Sequence, residues 1–443
     1  MNQEITPAML YNFREAFYAA PAHTIAMNAV VANGVQQSAK SWDARVKTNR
    51  QYSIRLKHRG ITWQKSSGRC WIFAALNCMR FQLQEKLDLE EFELSQNYIY
   101  FYDKLEKANY FLENILQTLE EPSSSRLLCH LLSNPMQDGG QWDMVCAVIE
   151  KYGVVPKYAM PETNSSSDSK QMRNILTEKL REDACILRNG HAAGKSADML
   201  RTEKESMLGT IYNMLCICLG TPPVEFDFAV SSRSGSLIRD RGLTPVDFYH
   251  KYFDSLKDYV SLLHAPTEDK PFWKSYTVQY LGNVIEGNPI RYVNMPIEEL
   301  KKAAVKQMQG GVPVWFGCDV GKLSNRQDGV MDLNFYQYET LFDTTFSMTK
   351  EQRLMYGQSK MSHAMVFQGV DLDDEGNPVQ WCVENSWGPD VGDHGMFLMT
   401  DGWFTEYMYQ VVVHKKYLSQ EILDAYRLEP VVLQPWDPMG SLA

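Results

Sequence analysis

From Cys70 onward the apolar residues Phe73, Leu76, Met79 and Leu83 recur at intervals of three and four. That is the period of a helix with one buried stripe, and it puts Cys70 in the first turn. Ser95 is a good N-cap for a second helix through Tyr98, Tyr102 and Leu105. A third follows Gly140, with Val145, Val148 and Ile149 on one side. Ile175 to Glu182 and Met199 to Cys218 are rich in helix formers. Between them and the first helices, Asn164-Ser165-Ser166-Ser167-Asp168-Ser169 reads as a surface loop that opens an insertion. After residue 290 the pattern changes. Pro296, Glu298 and Glu299 open a helix that ends at Gly310-Gly311. Strand-like runs follow at Val312–Cys318, Ala364–Val370, Val379–Val383 and Met396–Met399. The chain therefore reads as α+β, a helical half followed by a strand-rich half. Residues 1–60 are expected to wrap the body rather than fold alone.

Composition narrows the possibilities. With 443 residues, 44% hydrophobic and 22% charged, the chain has a globular composition and room for two or three domain-sized units. A formal net charge of −10 argues against nucleic acid or an anionic membrane as partner. The first residues, Met1 to Thr6, lack a basic stretch followed by an apolar run, so no signal peptide is expected. No segment approaches a membrane-spanning length. The nine cysteines are scattered without ligand spacing. Reduced thiols, a cytoplasmic setting, and no metal or organic cofactor are the expectations.

The chemistry concentrates in Gln64-Lys65-Ser66-Ser67-Gly68-Arg69-Cys70-Trp71-Ile72-Phe73. A thiol at a helix N-terminus lies beside unpaired N–H groups and the positive end of the helix dipole, which favour thiolate. Far downstream, His363 stands before an apolar strand, and Asn385 follows in Glu384-Asn385-Ser386-Trp387-Gly388. His363 is the expected base, and Asn385 would fix its ring. Gln64 and the Cys70 N–H would hold an oxyanion. Each residue also has a plainer reading: a packed cysteine, a core histidine, a turn asparagine, a solvated glutamine.

The order Gln, Cys, His, Asn resembles that of papain-type cysteine peptidases. Three further stretches resemble the bacterial aminopeptidase C and bleomycin hydrolase branch: Ser67-Gly68-Arg69-Cys70-Trp71, Gln137-Asp138-Gly139-Gly140-Gln141-Trp142-Asp143, and Pro435-Trp436-Asp437-Pro438-Met439-Gly440-Ser441-Leu442-Ala443. The resemblance implies a papain-like two-lobed fold, a helical lobe facing a β-barrel-like lobe, with a large helical insertion and two terminal extensions. The expected boundaries are 1–60 for the N-terminal extension, 61–163 for the lobe with Cys70, and 164–290 for the helical insertion. The lobe with His363 and Asn385 would span 291–425, and a C-terminal arm 426–443.

By the same resemblance Gly139 and Gly140 would bind substrate backbone, Trp387 would cover the His363–Asn385 bond, and the Ala443 carboxylate would meet the substrate ammonium. Asp138 and Asp143 are read as helix caps. The implied protein is a cytosolic aminopeptidase acting on peptides, a homohexamer that binds neither nucleic acid nor membrane. An endopeptidase on the same scaffold and a catalytically silent binding protein are the alternatives.

Overall fold

The computed structural model describes residues 4–57 and 59–443. Its centre is a twelve-stranded sheet. Val314–Cys318 lies between Met408–His414 and His363–Leu372, antiparallel to both. The sheet continues past His363–Leu372 through Pro378–Glu384 and Met396–Thr400. On the other side it runs through Tyr259–Leu263, Tyr292–Asn294 and Lys274–Val278 to Val431–Leu433.

Every residue of Val314–Cys318 is buried, as expected of a strand covered on both faces. Trp315 points to one core with Ala364 and Val366, whereas Val314 and Phe316 point to the other with Met365 and Phe367. The helix Cys70–Leu87 packs on the first face and Ile297–Gln309 on the second. Being sandwiched, Cys70–Leu87 is buried nearly all round rather than along one stripe.

The Ser95 cap forms as expected: its Oγ accepts from Tyr98 N at the start of Gln96–Gln117. Against that helix pack Lys170–Ala192 and Ala197–Leu219. The helical description of 164–290 holds to Leu219 and again at Pro245–Tyr252. After Leu219 come a hairpin, Phe226–Ser231 with Leu237–Leu243, and then Tyr259–Leu263 and Lys274–Val278, which enter the central sheet. The serine-rich stretch is not a surface loop either. Asn164–Ser167 is a short capped helix in which Ser166 is wholly buried, as is Ser169 just beyond.

The N-terminal extension divides in two. Residues 34–57 wrap the body: Ser41 N donates to Phe335 O, and Ile54–Arg55 pairs with Val370 and Gly369. The helices Pro7–Ala19 and Pro21–Asn33 bury none of their residues. Among the described residues no helix is long and apolar enough to cross a membrane.

Candidate active site

Cys70 is the first residue of its helix, and no side chain caps that terminus; Arg69 occupies the cap position. Arg69 is wholly buried and makes a two-pronged ion pair with Glu162, at 3.0 and 2.7 Å. Its Nε donates to Ser67 Oγ at 2.9 Å, and its guanidinium sits over the rings of Phe73 and Tyr100. A buried arginine needs such a planar partner, and the pair ties the nucleophile loop to the segment after Met160. The serine-rich stretch fastens the same loop through backbone: Ser66 N donates to Ser167 O at 2.9 Å.

Asp138 is a second anchor. Its carboxylate accepts from Gly68 N at 3.1 Å, Tyr100 OH at 2.6 Å and Ser169 Oγ at 2.5 Å. Lys104 and Arg173 lie at 3.4 and 3.2 Å. Burial alone would raise its carboxyl; the two cations and two hydroxyls outweigh burial and hold it well below the usual range. Its carbonyl accepts from Trp71 Nε1 at 2.8 Å. The helix after it starts only at Trp142, so Asp138 is no cap. Asp143 does lie in that helix's first turn, and it accepts from Arg291 N at 3.2 Å.

The opposite wall is the start of His363–Leu372, where His363 stands across from Cys318. His363 Nε2 lies 2.9 Å from Asn385 Oδ1, which also accepts from Ser386 N at 2.8 Å. Oδ1 can only accept, so Nε2 carries the proton and Nδ1 is left as acceptor for the thiol. The Trp387 ring lies against the imidazole, centroids 4.9 Å apart. Ala364 N points at Cys70 Sγ, 3.5 Å away, which seats the sulfur against this wall. Behind the site, Arg80 of the nucleophile helix pairs at 2.5 Å with the buried Glu384, next to Asn385.

Gln64 joins the two walls. Its N donates to Ser386 O at 2.9 Å, and its Oε1 accepts from Ser386 Oγ at 2.6 Å. Its Nε2 donates to Ser67 O at 2.5 Å, which leaves one N–H of the amide for an incoming oxygen.

Between the walls lies a cleft of about 550 Å³ lined by Gln64, Cys70, Gly139, His363 and Ala443. The last residues of the chain occupy one end. Gly140 N donates to Ala443 O and Ala443 N to Gly140 O, each at 3.2 Å, while Gln141 Nε2 holds Ser441 O at 2.6 Å. A Cβ on Gly139 would stand 2.8 Å from Ala443 O, and one on Gly140 2.5 Å from the Trp71 ring. Both positions require glycine for this close approach. Ala443 is buried, and among the described residues no basic side chain pairs with its carboxylate.

Burial acts against the helix-start effect at Cys70. Burial pushes the Cys70 thiol up to about 11, and the N–H groups of Ala364, Trp71 and Cys70 offset this only in part. Burial likewise drives His363 down to about 4, with the Asn385 bond working against that and Arg326 adding to it. Burial thus works against either charge taken on its own. Ionisation must proceed by moving the thiol proton to the imidazole, which creates two opposite charges that stabilise each other.

Cys70, His363, Asn385, Gln64 and Trp387 thus converge on one cleft, with Gly139, Gly140 and Ala443 at its end. Sequence reasoning took Asp138 for a helix cap and missed the Arg69–Glu162 and Arg80–Glu384 pairs and the docking of the serine stretch. Only Asp138 had a local signal, its place beside the glycine pair; the others are meetings of residues distant in sequence. No cluster of histidine, cysteine and carboxylate suited to a metal occurs among the described residues.

The family model described as the Peptidase C1-like family matches residues 4–440. Aminopeptidase C of Listeria monocytogenes is 46% identical over 444 residues, covering all of both chains. Mouse bleomycin hydrolase is 42% identical, covering 89% of this chain and 88% of its own. The crystal structure of PepW from Lactobacillus rhamnosis superposes with a TM-score of 0.98 at 48% identity, covering 100% of both chains. The chain belongs to the Peptidase C1-like family.

Proposed function

We propose that the protein is a thiol aminopeptidase that removes N-terminal residues from peptides, and that the tail in the cleft makes it so. The thiol proton passes to His363 Nδ1 as Sγ attacks the first peptide carbonyl. The oxyanion is held by the Cys70 N–H, free at the helix start, and by Gln64 Nε2. The imidazolium then protonates the departing amine, and water hydrolyses the thioester with His363 as base. Asn385 keeps the ring in the tautomer this sequence needs, and Trp387 shields that bond from water.

The observation that carries the reading is the antiparallel exchange between Ala443 and Gly140. An extended substrate running past Cys70 would use the same backbone groups, so the tail stops it after one residue. An ammonium arriving there meets a buried carboxylate with no cation, whereas an acylated amine leaves that charge unpaired. The tail thus disfavours the endopeptidase alternative. The test compares an aminoacyl amide with its N-acetylated twin, using Cys70→Ala as the blank. Selective cleavage of the free amine supports the reading; equal cleavage of both sinks the role of Ala443.

The same reading takes in a cytoplasmic location and assembly as a homohexamer. Support for assembly comes from Pro7–Ala19 and Pro21–Asn33, whose Leu10, Phe13, Ile25 and Val31 are all more than half exposed. Sedimentation velocity tests it: a single species of six chains is expected, and a monomer refutes it. Fractionation of the source cells tests the location.

A further inference from the structure

The proposed reaction fixes where the departing half of the substrate lies, and this inference rests on that reading. His363 must protonate the leaving amine, so the residue after the scissile bond sits beside the imidazole and its Trp387 cover, away from Ala443. Two cations stand beside this end of the cleft, on the far side of Trp387 from the lining residues named above. The Arg326 guanidinium lies over the Trp387 ring, 4.9 Å from its centroid. Trp63 forms a backbone bridge with Trp387, and its indole meets Gly388 so closely that a Cβ there would stand 2.8 Å away. Lys65 Nζ sits over that second indole, 3.7 Å from its centroid. Lys65 itself holds a left-handed backbone, φ 55°, an unusual cost for a residue with a side chain.

Neither Arg326 nor Lys65 has an ion-pair or hydrogen-bond partner among the described residues, although the chain carries a net charge of −10. Stacking on an indole holds each cation in place while its N–H groups stay free for an anion. A peptide that loses its first residue to this enzyme carries one obligatory anion, its C-terminal carboxylate. In a dipeptide that carboxylate belongs to the residue beside His363.

We infer that Arg326, with Lys65 beside it, is a specificity-determining residue that binds the C-terminal carboxylate of very short peptides, favouring dipeptides over longer or amidated substrates. Recognition is then two-ended. The Ala443 carboxylate takes the ammonium at one end of the cleft, and Arg326 takes the carboxylate at the other. The bound carboxylate also neutralises a charge that opposes protonation of His363, so the preferred substrate eases the proton transfer that its own cleavage requires.

The test measures kcat/KM for leucylglycine and leucylglycinamide with wild-type enzyme, Arg326→Gln and Arg326→Lys, at low and high salt. The wild type is expected to prefer the free acid about tenfold, the scale of a charge-assisted contact in a partly open cleft. Arg326→Gln collapses that ratio, Arg326→Lys restores part of it, and salt erodes it in the wild type. An acid-to-amide ratio that is the same in wild type and Arg326→Gln overturns the inference, as does a wild-type preference for the amide. Absence of Cys70-dependent cleavage of either compound is a different failure. It removes the aminopeptidase reading and this inference with it.

Discussion

The two walls of the cleft hold their residues by different means. The wall with Cys70 is a loop feeding a helix, and it is fastened by buried charge: Arg69 on Glu162, and Asp138 among Gly68, Tyr100, Ser169, Lys104 and Arg173. The wall with His363 is a strand inside a sheet, and register does most of the fastening, with one amide and one indole added. A loop lacks ladder partners for its N–H and C=O groups, so polar side chains must supply them in a dry place. A strand has its partners already, and only the imidazole ring needs orienting. Stability and chemistry should therefore separate: damage to the first wall shows up in folding, and damage to the second in rate.

The largest expected effect is on stability. Asp138→Ala leaves Arg173 and Gly68 N without their anion and Lys104 with Asp103 alone, and removing one partner of a buried pair costs about 3–5 kcal/mol. Urea denaturation is the measurement, and an unchanged midpoint would show that the loop is held by something else. Next is Asn385→Ala. Losing the tautomer anchor should lower kcat by about 100-fold or more, within the roughly 10²–10⁴ range of a general-base contribution, while the urea midpoint moves little. A large loss of stability there would erase the contrast between the walls.

Arg69→Lys keeps the charge of the helix cap but cannot reproduce the two-pronged contact with Glu162. A loss of about 2 kcal/mol in the same unfolding experiment is expected, with activity recovering whenever the chain is folded. The subtlest effect lies in the pH profile of kcat/KM for an aminoacyl amide. Below about 4 His363 gains a proton before it can take one from Cys70, so activity falls on the acid side near that value. The thiol, at about 11, sets no limb near neutrality. The alkaline fall should instead follow the substrate ammonium, near pH 8, because the neutral amine no longer pairs with Ala443. An alkaline limb that ignores the amine's pKa would detach Ala443 from recognition.

Much of this was legible in the sequence, and for identifiable reasons. Periodicity gave the helix at Cys70, the Ser95 cap and the strands near 314, 363 and 378, because those signals are local. The same signal failed at Tyr259–Leu263 and Lys274–Val278, short runs whose identity as strands depends on neighbours far along the chain. It failed at Asn164–Ser169 because serines forecast exposure unless a buried carboxylate needs their hydroxyls. Here Glu162 takes one from Ser166 and Asp138 takes one from Ser169. The dipole at Cys70 is legible as a local field, but the burial that opposes it is not encoded in composition.

The bonds between Gln64 and Ser386 join positions 322 residues apart. Loop-closure entropy makes so long a contact one of the later ones to form. During synthesis the nucleophile therefore emerges well before its base, its orienting amide and its substrate-gating tail. A partly made chain carries Cys70 with nothing to activate it. The peptidase is its own zymogen for as long as translation lasts, and the closing of its last long-range contacts is what assembles the site.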